Sequence, residues 1–425
     1  MKDSSKNIIN LINLLHPIQR NANSKGVDKS FKLIKDKILT NSKIHNYKSG
    51  LKIEDWEVPK RWELKNAFIK DKNGKILTSS NKNFLLVAPY SLPIKGWFTK
   101  KEIAKHLFTR KDKPNSYLLE HRNTYDYNLN DWRITLPYSM WKGMRDNKYY
   151  VEIDAKLSEG NMKVLEYFLP GKSKEIITFT AHIDELCNDD LSGCALGVEL
   201  FKNLSSKRNR KYSYQLILGP ELYGFLYYVY FNRSKIKKTI GMINLEQVGA
   251  GKSWVLKKSL NEDSLMDKAL ISSFETTRVK YKIQKFFQGY MNDEKIYSWP
   301  KLSIPSPAIQ RYPFAEYHTS EDTPKIIKKK YISESYKISE NFIKIIESNF
   351  IPEYIGYLPP WLTKRNLYVD YYNDKENHGK YNQDILYLID GSNSILDISL
   401  KIKIDYFDIL IFINKLLEQK IIRKR

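Results

Sequence analysis

Residues 180–193 read TAHIDELCNDDLSG, and they place His182, Asp184, Asp189 and Asp190 within nine positions directly after an apolar run. Open α/β sheets build metal sites in this way, with a strand that delivers imidazole and carboxylate groups at its carboxyl end before a helix begins. The stretch therefore predicts a buried strand, a loop rich in ligand groups, and a helix over residues 191–205.

Three later segments carry complementary groups in the same kind of setting. Residues 213–221, SYQLILGPE, predict a buried strand that ends on Glu221, and residues 239–249, TIGMINLEQVG, predict another strand with Glu246 near its end. Residues 317–324, YHTSEDTP, place His318 and Asp322 four positions apart before a helical run. Two histidines with several carboxylates predict a divalent metal site, and the imidazoles favour zinc.

Each segment also has a purely structural interpretation. Asp189 and Asp190, taken alone, fit an N-cap for the helix beginning at Leu191 better than they fit metal ligands. Glu246 alone could be a buried carboxylate with satisfied hydrogen bonds, and His318 alone an ordinary loop histidine. The chain has only 7 histidines, and two of them lie in the two most motif-like segments. This conjunction favours the metal site.

In their order along the chain, these motifs resemble those of the zinc-dependent leucyl-aminopeptidase-like exopeptidases, a clan that also holds the glutaminyl cyclases. Three further stretches resemble one bacterial branch of that clan, the aminopeptidase-like proteins often described as polysaccharide-biosynthesis proteins. They are HPIQRNANSKG (16–26), DWEVPKRWELKNAFIKDKNGK (55–75) and GYLPPWLTKRNLYVD (356–370).

The resemblance covers nearly the whole chain and implies an α/β fold. We expect a three-layer αβα domain of the zinc-exopeptidase type with a mostly parallel sheet, formed by residues 1–54 and 151–349. A β-rich inserted domain would span residues 55–150, and a winged-helix-like domain residues 350–425. Strand and helix patterns alternate in the first of these segments, as such a sheet requires.

The resemblance also implies roles for individual residues, with one or two Zn²⁺ ions as the cofactor. The expected metal ligands are His182, Asp189 (bridging two metals), Glu246 and His318. Three further residues are expected around the ligands. Asp184 is a catalytic-site carboxylate that would orient His182, and Asp322 would orient His318. Asp190 lies where the clan often has a cis peptide.

Glu221 marks a departure from the clan, which normally has two adjacent glutamates there, a general base and then a metal ligand. This chain has Pro220, Glu221 and Leu222. Glu221 could therefore be the base, which leaves one metal a ligand short, or the ligand, which leaves the site without its usual base. The spacing to Gly224 favours the base, whereas the preceding Gly-Pro favours the ligand.

The net charge of +23 raises the question of a nucleic-acid partner. Residues 350–425, the expected winged helix, hold 11 Lys and Arg against 10 Asp and Glu, a net charge of +1. A helix that reads DNA would concentrate cations, so the sequence argues against nucleic acid and for packing on the main domain or on a partner. The remaining charge is interpreted as a solvated surface, with attraction of an anionic substrate as the alternative.

Other features bear on the compartment. Cys187 and Cys194 are too few for a disulfide framework and are interpreted as buried packing residues, which fits a cytoplasmic protein. No run approaches 18 apolar residues, so we expect no membrane span. The N-terminal segment predicts an amphipathic helix and not a signal peptide. An oligomer is compatible with the sequence.

The leading functional hypothesis is a metallo-aminopeptidase or amide hydrolase in which metal-activated water attacks an amide and Glu221 moves the proton. The substrate would be a small peptide-like molecule or an acylated amino sugar. Two alternatives stay open: amide chemistry on a sugar or nucleotide-sugar intermediate in surface polysaccharide biosynthesis, or a non-catalytic scaffold with a degenerate metal site.

Overall fold

The structure is a computed structural model that describes residues 3–125, 130–368 and 378–425. Its strands are β1 Lys43–Lys48, β2 Lys52–Ile53, β3 Trp56–Glu57, β4 Arg61–Lys70, β5 Ile76–Ser79, β6 Ile94–Thr99, β7 Leu107–Phe108, β8 Ile134–Thr135, β9 Lys148–Ser158, β10 Asn161–Leu169, β11 Ile176–His182, β12 Ser213–Gly219, β13 Thr239–Glu246, β14 Ser253–Lys257, β15 Tyr281–Gln284, β16 Ala308–Tyr312, β17 Pro352–Tyr354 and β18 Ile422–Lys424.

Its α-helices are α1 Ser4–Leu15, α2 Lys25–Lys37, α3 Lys100–Lys105, α4 Arg122–Tyr125, α5 Tyr138–Gly143, α6 Leu191–Ser205, α7 Tyr223–Phe231, α8 Arg233–Ile236, α9 Leu265–Thr277, α10 Glu294–Tyr297, α11 Lys329–Ser348, α12 His378–Leu388, α13 Ile395–Ile402 and α14 Tyr406–Glu418. None of these described helices combines the length and the apolar character that a membrane crossing needs.

The main sheet has eight strands in the order β1-β10-β12-β11-β13-β16-β14-β15. Its four central strands, β12, β11, β13 and β16, are parallel to one another. The pairs β1–β10, β10–β12 and β14–β16 are antiparallel. The predicted fold class, an α/β protein built on a mostly parallel central sheet, is confirmed. The carboxyl ends of the central strands meet at one edge, where ligands of such sheets bind.

Helices cover both faces of this sheet because its central strands are apolar on both sides. In β12, Leu216 and Leu218 pack in the core formed with α1, α6 and α11. Ile217, between them, faces the opposite core, where Phe225 and Tyr228 of α7 lie. Helix α6 begins at Leu191, as the sequence predicted, because the Asp190 side chain caps it by accepting the Gly193 N–H at 3.0 Å.

The inserted segment forms its own antiparallel sheet in the order β5-β4-β9-β6. Strand β9 runs to Ser158, so the predicted boundary at residue 150 lies inside a strand. The buried residues of this insert, such as Trp62 and Val151, are continuous with the core on the α7 side of the main sheet. The insert is therefore packed on the main domain and not attached only by its ends.

The C-terminal segment contains α12, α13 and α14, and its strand β18 pairs antiparallel with β17. It packs on the main domain: Lys268 of α9 donates to Asp397 at 3.0 Å and Thr276 of α9 to Asp405 at 2.6 Å. Residues 369–377, within the predicted winged helix, lie outside the described residues. The winged-helix assignment stays a prediction.

The close contact between α6 and β13 yields a stability test at Gly193. A Cβ at this position would lie 2.2 Å from the Leu245 carbonyl oxygen, so Gly193→Ala should destabilise the metal-free protein by roughly 1–3 kcal/mol in chemical denaturation. Gly143→Ala is the control, because nothing lies within 4 Å of the added methyl, and it should change stability by less than about 1 kcal/mol. Equal effects of the two substitutions would contradict this account of the packing.

Candidate metal centre

The predicted site residues gather at the carboxyl edge of the central strands. His182 is the last residue of β11 and Glu246 the last of β13, and these two strands are parallel neighbours. Glu221 follows the end of β12 by two residues, and His318 lies in the loop after β16. Four separate parts of the sequence thus converge because parallel strands end together.

A first group of potential ligands consists of His182, Asp189 and Glu246. The His182 Nε2 atom lies 3.3 Å from Asp189 Oδ1 and 3.5 Å from Glu246 Oε1. All three side chains are buried, with His182 only 1 % exposed. The sequence predicted all three members of this group as ligands.

A second group consists of His121, Glu185 and His318. Glu185 stands between the two imidazoles, 3.0 Å from His121 Nε2 and 3.5 Å from His318 Nε2. The Asp189 Oδ2 atom lies 3.2 Å from His318 Nε2, so the two oxygens of Asp189 face different groups. The sequence analysis predicted His318 here but missed His121 and Glu185.

The insert carries His121 to the site by pairing with the His318 loop. The Leu119 N–H donates to the His318 carbonyl at 2.9 Å, and the Ser320 N–H donates to the Tyr117 carbonyl at 2.9 Å. This short antiparallel contact links two segments that lie about 200 positions apart. A signal was available in the sequence, since the single Glu221 cannot replace both of the clan's adjacent glutamates, and a site in which Glu221 is the base needs a ligand from elsewhere.

Asp189 and Asp190 have different contacts, although either could have been the cap. Asp190 Oδ1 accepts the N–H groups of Gly193 and Gln247, both at 3.0 Å, so this carboxylate fixes the start of α6 and the end of β13. Asp189 faces the two histidines. The peptide bond between them is cis. The capping interpretation therefore applies to Asp190, and the ligand interpretation applies to Asp189.

The two predicted orienting carboxylates lie in different surroundings. Asp184 Oδ1 is 3.6 Å from His182 Nδ1 and accepts the Glu221 N–H at 2.9 Å. Asp322, expected beside His318, instead accepts the N–H groups of Asn188 and Asp189, at 2.7 and 3.1 Å. Its carboxylate thus holds the main chain of the Asp189 loop. Main-chain donors compete with the imidazole for this acceptor because they are buried and need a partner.

Glu221 belongs to neither ligand group. Its Oε2 atom accepts the Tyr125 hydroxyl at 2.5 Å. Burial and the nearby Glu185 carboxylate raise the pKa of Glu221.

Leu222, the next residue, has a φ of +57°, as Gln247 and His318 have φ values of +53° and +54°. Such left-handed conformations are costly for side-chain-bearing residues and are concentrated in functional loops.

The second oxygen of Glu246 is held by an outer layer of buried groups. Glu246 Oε2 accepts from Asn292 Nδ2 at 2.9 Å. The Asn292 N–H donates to Glu294 at 3.0 Å, and Glu294 forms a 2.9 Å ion pair with Lys257. This ion pair is at most 2 % exposed, so the orientation of Glu246 is set from the protein interior.

The protonation equilibria show how strongly these groups perturb one another. Burial raises the pKa of Glu246 to about 7, and burial raises that of Asp322 to about 8. Burial lowers the pKa of His318, but the Glu185 and Asp189 carboxylates outweigh it and raise the value to about 11. Clusters of buried groups with such shifts are typical of functional sites.

The donor atoms fit a bound cation. Several buried atoms that face the two groups have no hydrogen-bond partner among the described residues: His121 Nε2, both ring nitrogens of His182, Asp189 Oδ2 and Glu246 Oε1. Buried polar atoms are otherwise almost always paired. Tetrahedral zinc with ligands at about 2.0–2.2 Å separates them by about 3.4 Å. The histidine-to-carboxylate separations within the groups are 3.0–3.5 Å, and all ligand atoms of a group lie within 4.8 Å of one another.

Comparisons with known proteins show the family and the fold of the chain. The family described as "Domain of unknown function (DUF4910)" matches residues 9–349. A Clostridium acetobutylicum protein is 32% identical over 411 residues, covering 93% of this chain and 91% of its own length. Its provisional name is polysaccharide biosynthesis protein with aminopeptidase-like domain.

Two solved structures extend the comparison. A crystal structure of a provisionally named peptidase from Clostridium acetobutylicum has a TM-score of 0.88 and 28% identity, covering 100% of this chain and 98% of that one. A zinc aminopeptidase from Bacillus subtilis has a TM-score of 0.57 and 15% identity, covering 80% of this chain and 94% of its own, and it shows the fold alone. The resemblance that the motifs indicated is thereby confirmed.

We predict that His121→Ala lowers zinc binding from two equivalents to one, because His121 is a member of the second group only. Elemental analysis after dialysis measures the stoichiometry. His106→Ala is the matched control, since His106 is also in the insert but bonds Asp131 at 2.8 Å, and it should keep both equivalents. Retention of two equivalents by His121→Ala would exclude His121 as a ligand.

A second substitution tests the carboxylate beneath the Asp189 loop. Asp322→Ala removes the acceptor of two main-chain N–H groups, and we expect it to weaken zinc affinity about 10- to 100-fold. Competition with a chromophoric chelator measures the affinity, and circular dichroism checks the fold. If the folded variant binds zinc as the wild type does, Asp322 supports the structure without positioning Asp189.

Proposed function

We propose that this chain, which belongs to the DUF4910 family, is a metal-dependent aminopeptidase or closely related amide hydrolase. The observation that carries the proposal is the Asp189 carboxylate, whose two oxygens face two separate groups of ligand side chains. The aminopeptidase-like name of the Clostridium relative and the fold of the Bacillus zinc aminopeptidase support it.

In this proposal His182, Asp189 and Glu246 would hold one metal, and His121, Glu185 and His318 would hold another, with Asp189 available to both. Zinc suits this mixture of imidazole and carboxylate donors. Bound zinc would polarise the substrate carbonyl and lower the pKa of water at the site. The protein's task is then to hold the substrate amide and to move one proton.

Glu221 is the residue we assign to that proton transfer. The sequence left open whether Glu221 is a base or a ligand, and the second group favours the base because Glu185 and His121 supply the missing ligands. The Tyr125 hydroxyl and the Asp184 carboxylate fix Glu221 from two sides. Its carboxylate would accept a proton from the attacking water and pass it to the leaving nitrogen.

Aromatic side chains beside the centre favour a second candidate, amide chemistry on an amino sugar. The Tyr317 ring stacks on His318 with centroids 3.8 Å apart, and Tyr290 stacks on Tyr317 at 5.7 Å. Tyr290 is 58% exposed. Aromatic faces at a pocket give apolar contact to a substrate ring, and the name of the Clostridium relative connects that protein with polysaccharide biosynthesis.

Glu221→Gln tests the proposed base. The amide keeps the shape of the side chain but cannot accept the proton, so turnover should fall about 10²- to 10⁴-fold while both zinc equivalents stay bound. Glu185→Gln is the contrasting variant, because a ligand substitution should lower zinc content as well. Both are measured with a panel of aminoacyl amides and N-acylated amino sugars.

The panel also separates the candidate functions. Hydrolysis of aminoacyl amides supports the aminopeptidase, and hydrolysis confined to N-acylated amino sugars supports the second candidate. Zinc-loaded wild-type protein that hydrolyses no member of the panel would favour the scaffold. Unchanged turnover in Glu221→Gln at full zinc occupancy would remove Glu221 from the mechanism.

A further inference from the structure

Arg20 forms hydrogen bonds with the main chain of the loop that carries Asp184 and Glu185. It belongs to the stretch HPIQRNANSKG, residues 16–26, and its side chain is buried, with 5% of its surface exposed. Burial lowers the pKa of Arg20 to about 10, so the guanidinium stays charged at neutral pH. A buried cation needs compensation from hydrogen-bond acceptors.

The guanidinium donates to five main-chain carbonyl groups in two segments. Two of them, at Leu15 (2.6 Å) and Ile18, lie at the end of α1 and just beyond it. The other three are Ile183 at 2.7 Å, Glu185 at 3.0 Å and Leu186 at 3.1 Å. The partial negative charge at a helix C-terminus favours a cation at that end. Arg20 therefore joins α1 to the loop that follows β11.

These hydrogen bonds fix the main chain just before Asp184 and just after Glu185. The Ile183 carbonyl belongs to the peptide plane before Asp184, and the Glu185 carbonyl to the plane after Glu185. With both planes held by one rigid guanidinium, the direction of the Glu185 Cα–Cβ bond is restricted. Glu185 then points between His121 and His318, where its oxygens are 3.0 and 3.5 Å from the two ring nitrogens.

We propose that Arg20 is a positioning residue for the second metal site, holding the main chain of residues 183–186 so that Glu185 is in place before a metal binds. The inference rests on the proposed function, because it concerns the metal site that His121, Glu185 and His318 form there. It predicts that loss of the guanidinium affects this site more than the site at His182, where two of the three ligands, His182 and Glu246, lie at the ends of regular strands.

Arg20→Lys is the test variant, because lysine keeps the charge but offers three donors from one atom and cannot span five carbonyls. Arg210→Lys is the matched control. Arg210 is also buried and donates to main-chain carbonyls, those of Pro170, Leu204 and Lys207. These acceptors lie at the opposite end of β12 from Glu221.

Zinc affinity is measured by titration against a chromophoric chelator, and Co²⁺ replaces zinc to record the absorption spectrum of each site. We expect Arg20→Lys to weaken the affinity of the second site for zinc about 10- to 100-fold, with little change in the affinity of the first site. The substitution should also alter the Co²⁺ spectrum of the second site. Arg210→Lys should lower thermal stability and leave both affinities unchanged. If Arg20→Lys binds both equivalents as the wild type does, the inference is wrong and the proposed function stands.

If Arg20→Lys does not fold, hydrogen–deuterium exchange of the wild-type protein tests the same inference. Amides of residues 183–187 should exchange as slowly in the metal-free protein as in the zinc-loaded one, because Arg20 holds the loop without metal. Fast exchange that only zinc suppresses would overturn the inference. Wild-type protein that binds no zinc at all would overturn the proposed function and this inference together.

Discussion

The carboxylate of Asp189 is the constraint on which the arrangement of this site depends. Its oxygens lie 3.3 Å from His182 Nε2 and 3.2 Å from His318 Nε2. The carboxylate is buried at the carboxyl edge of the central strands. A buried carboxylate is costly unless cations or donors surround it. The ends of β11 and β13 supply groups on one side of Asp189, and the loop after β16 supplies His318 on the other. Asp322 accepts a hydrogen bond from the Asp189 main chain.

Much of this could be predicted from the sequence because the information is local. His182 and Glu246 end apolar strands, and parallel strands bring their carboxyl ends together whatever the intervening helices are. The same reasoning predicted a mostly parallel sheet but no strand order. It could not say that β10 joins the central strands in an antiparallel pair, or that β1 in turn pairs antiparallel with β10, since this pairing depends on long-range contacts that no short motif records.

The residues that were missed depend on long-range contacts. His121 reaches the site only because residues 117–119 pair with the His318 loop, and nothing near His121 in the sequence indicates that pairing. Glu185 was hidden by its neighbours, because Asp184 and Asp189 match the clan motif on either side of it. Asp322 was assigned to the nearest histidine along the chain, whereas its partners are main-chain groups more than 130 positions away.

The origin of the two ligand groups has an evolutionary consequence. His182, Asp189 and Glu246 all come from the main sheet and its loops, whereas His121 comes from the insert. A descendant that lost the insert would therefore keep a complete set of three ligands and lose one member of the other set. Under the proposed function, gain or loss of one segment would then change the ligand set of one metal site in a lineage, with no substitution in the sheet.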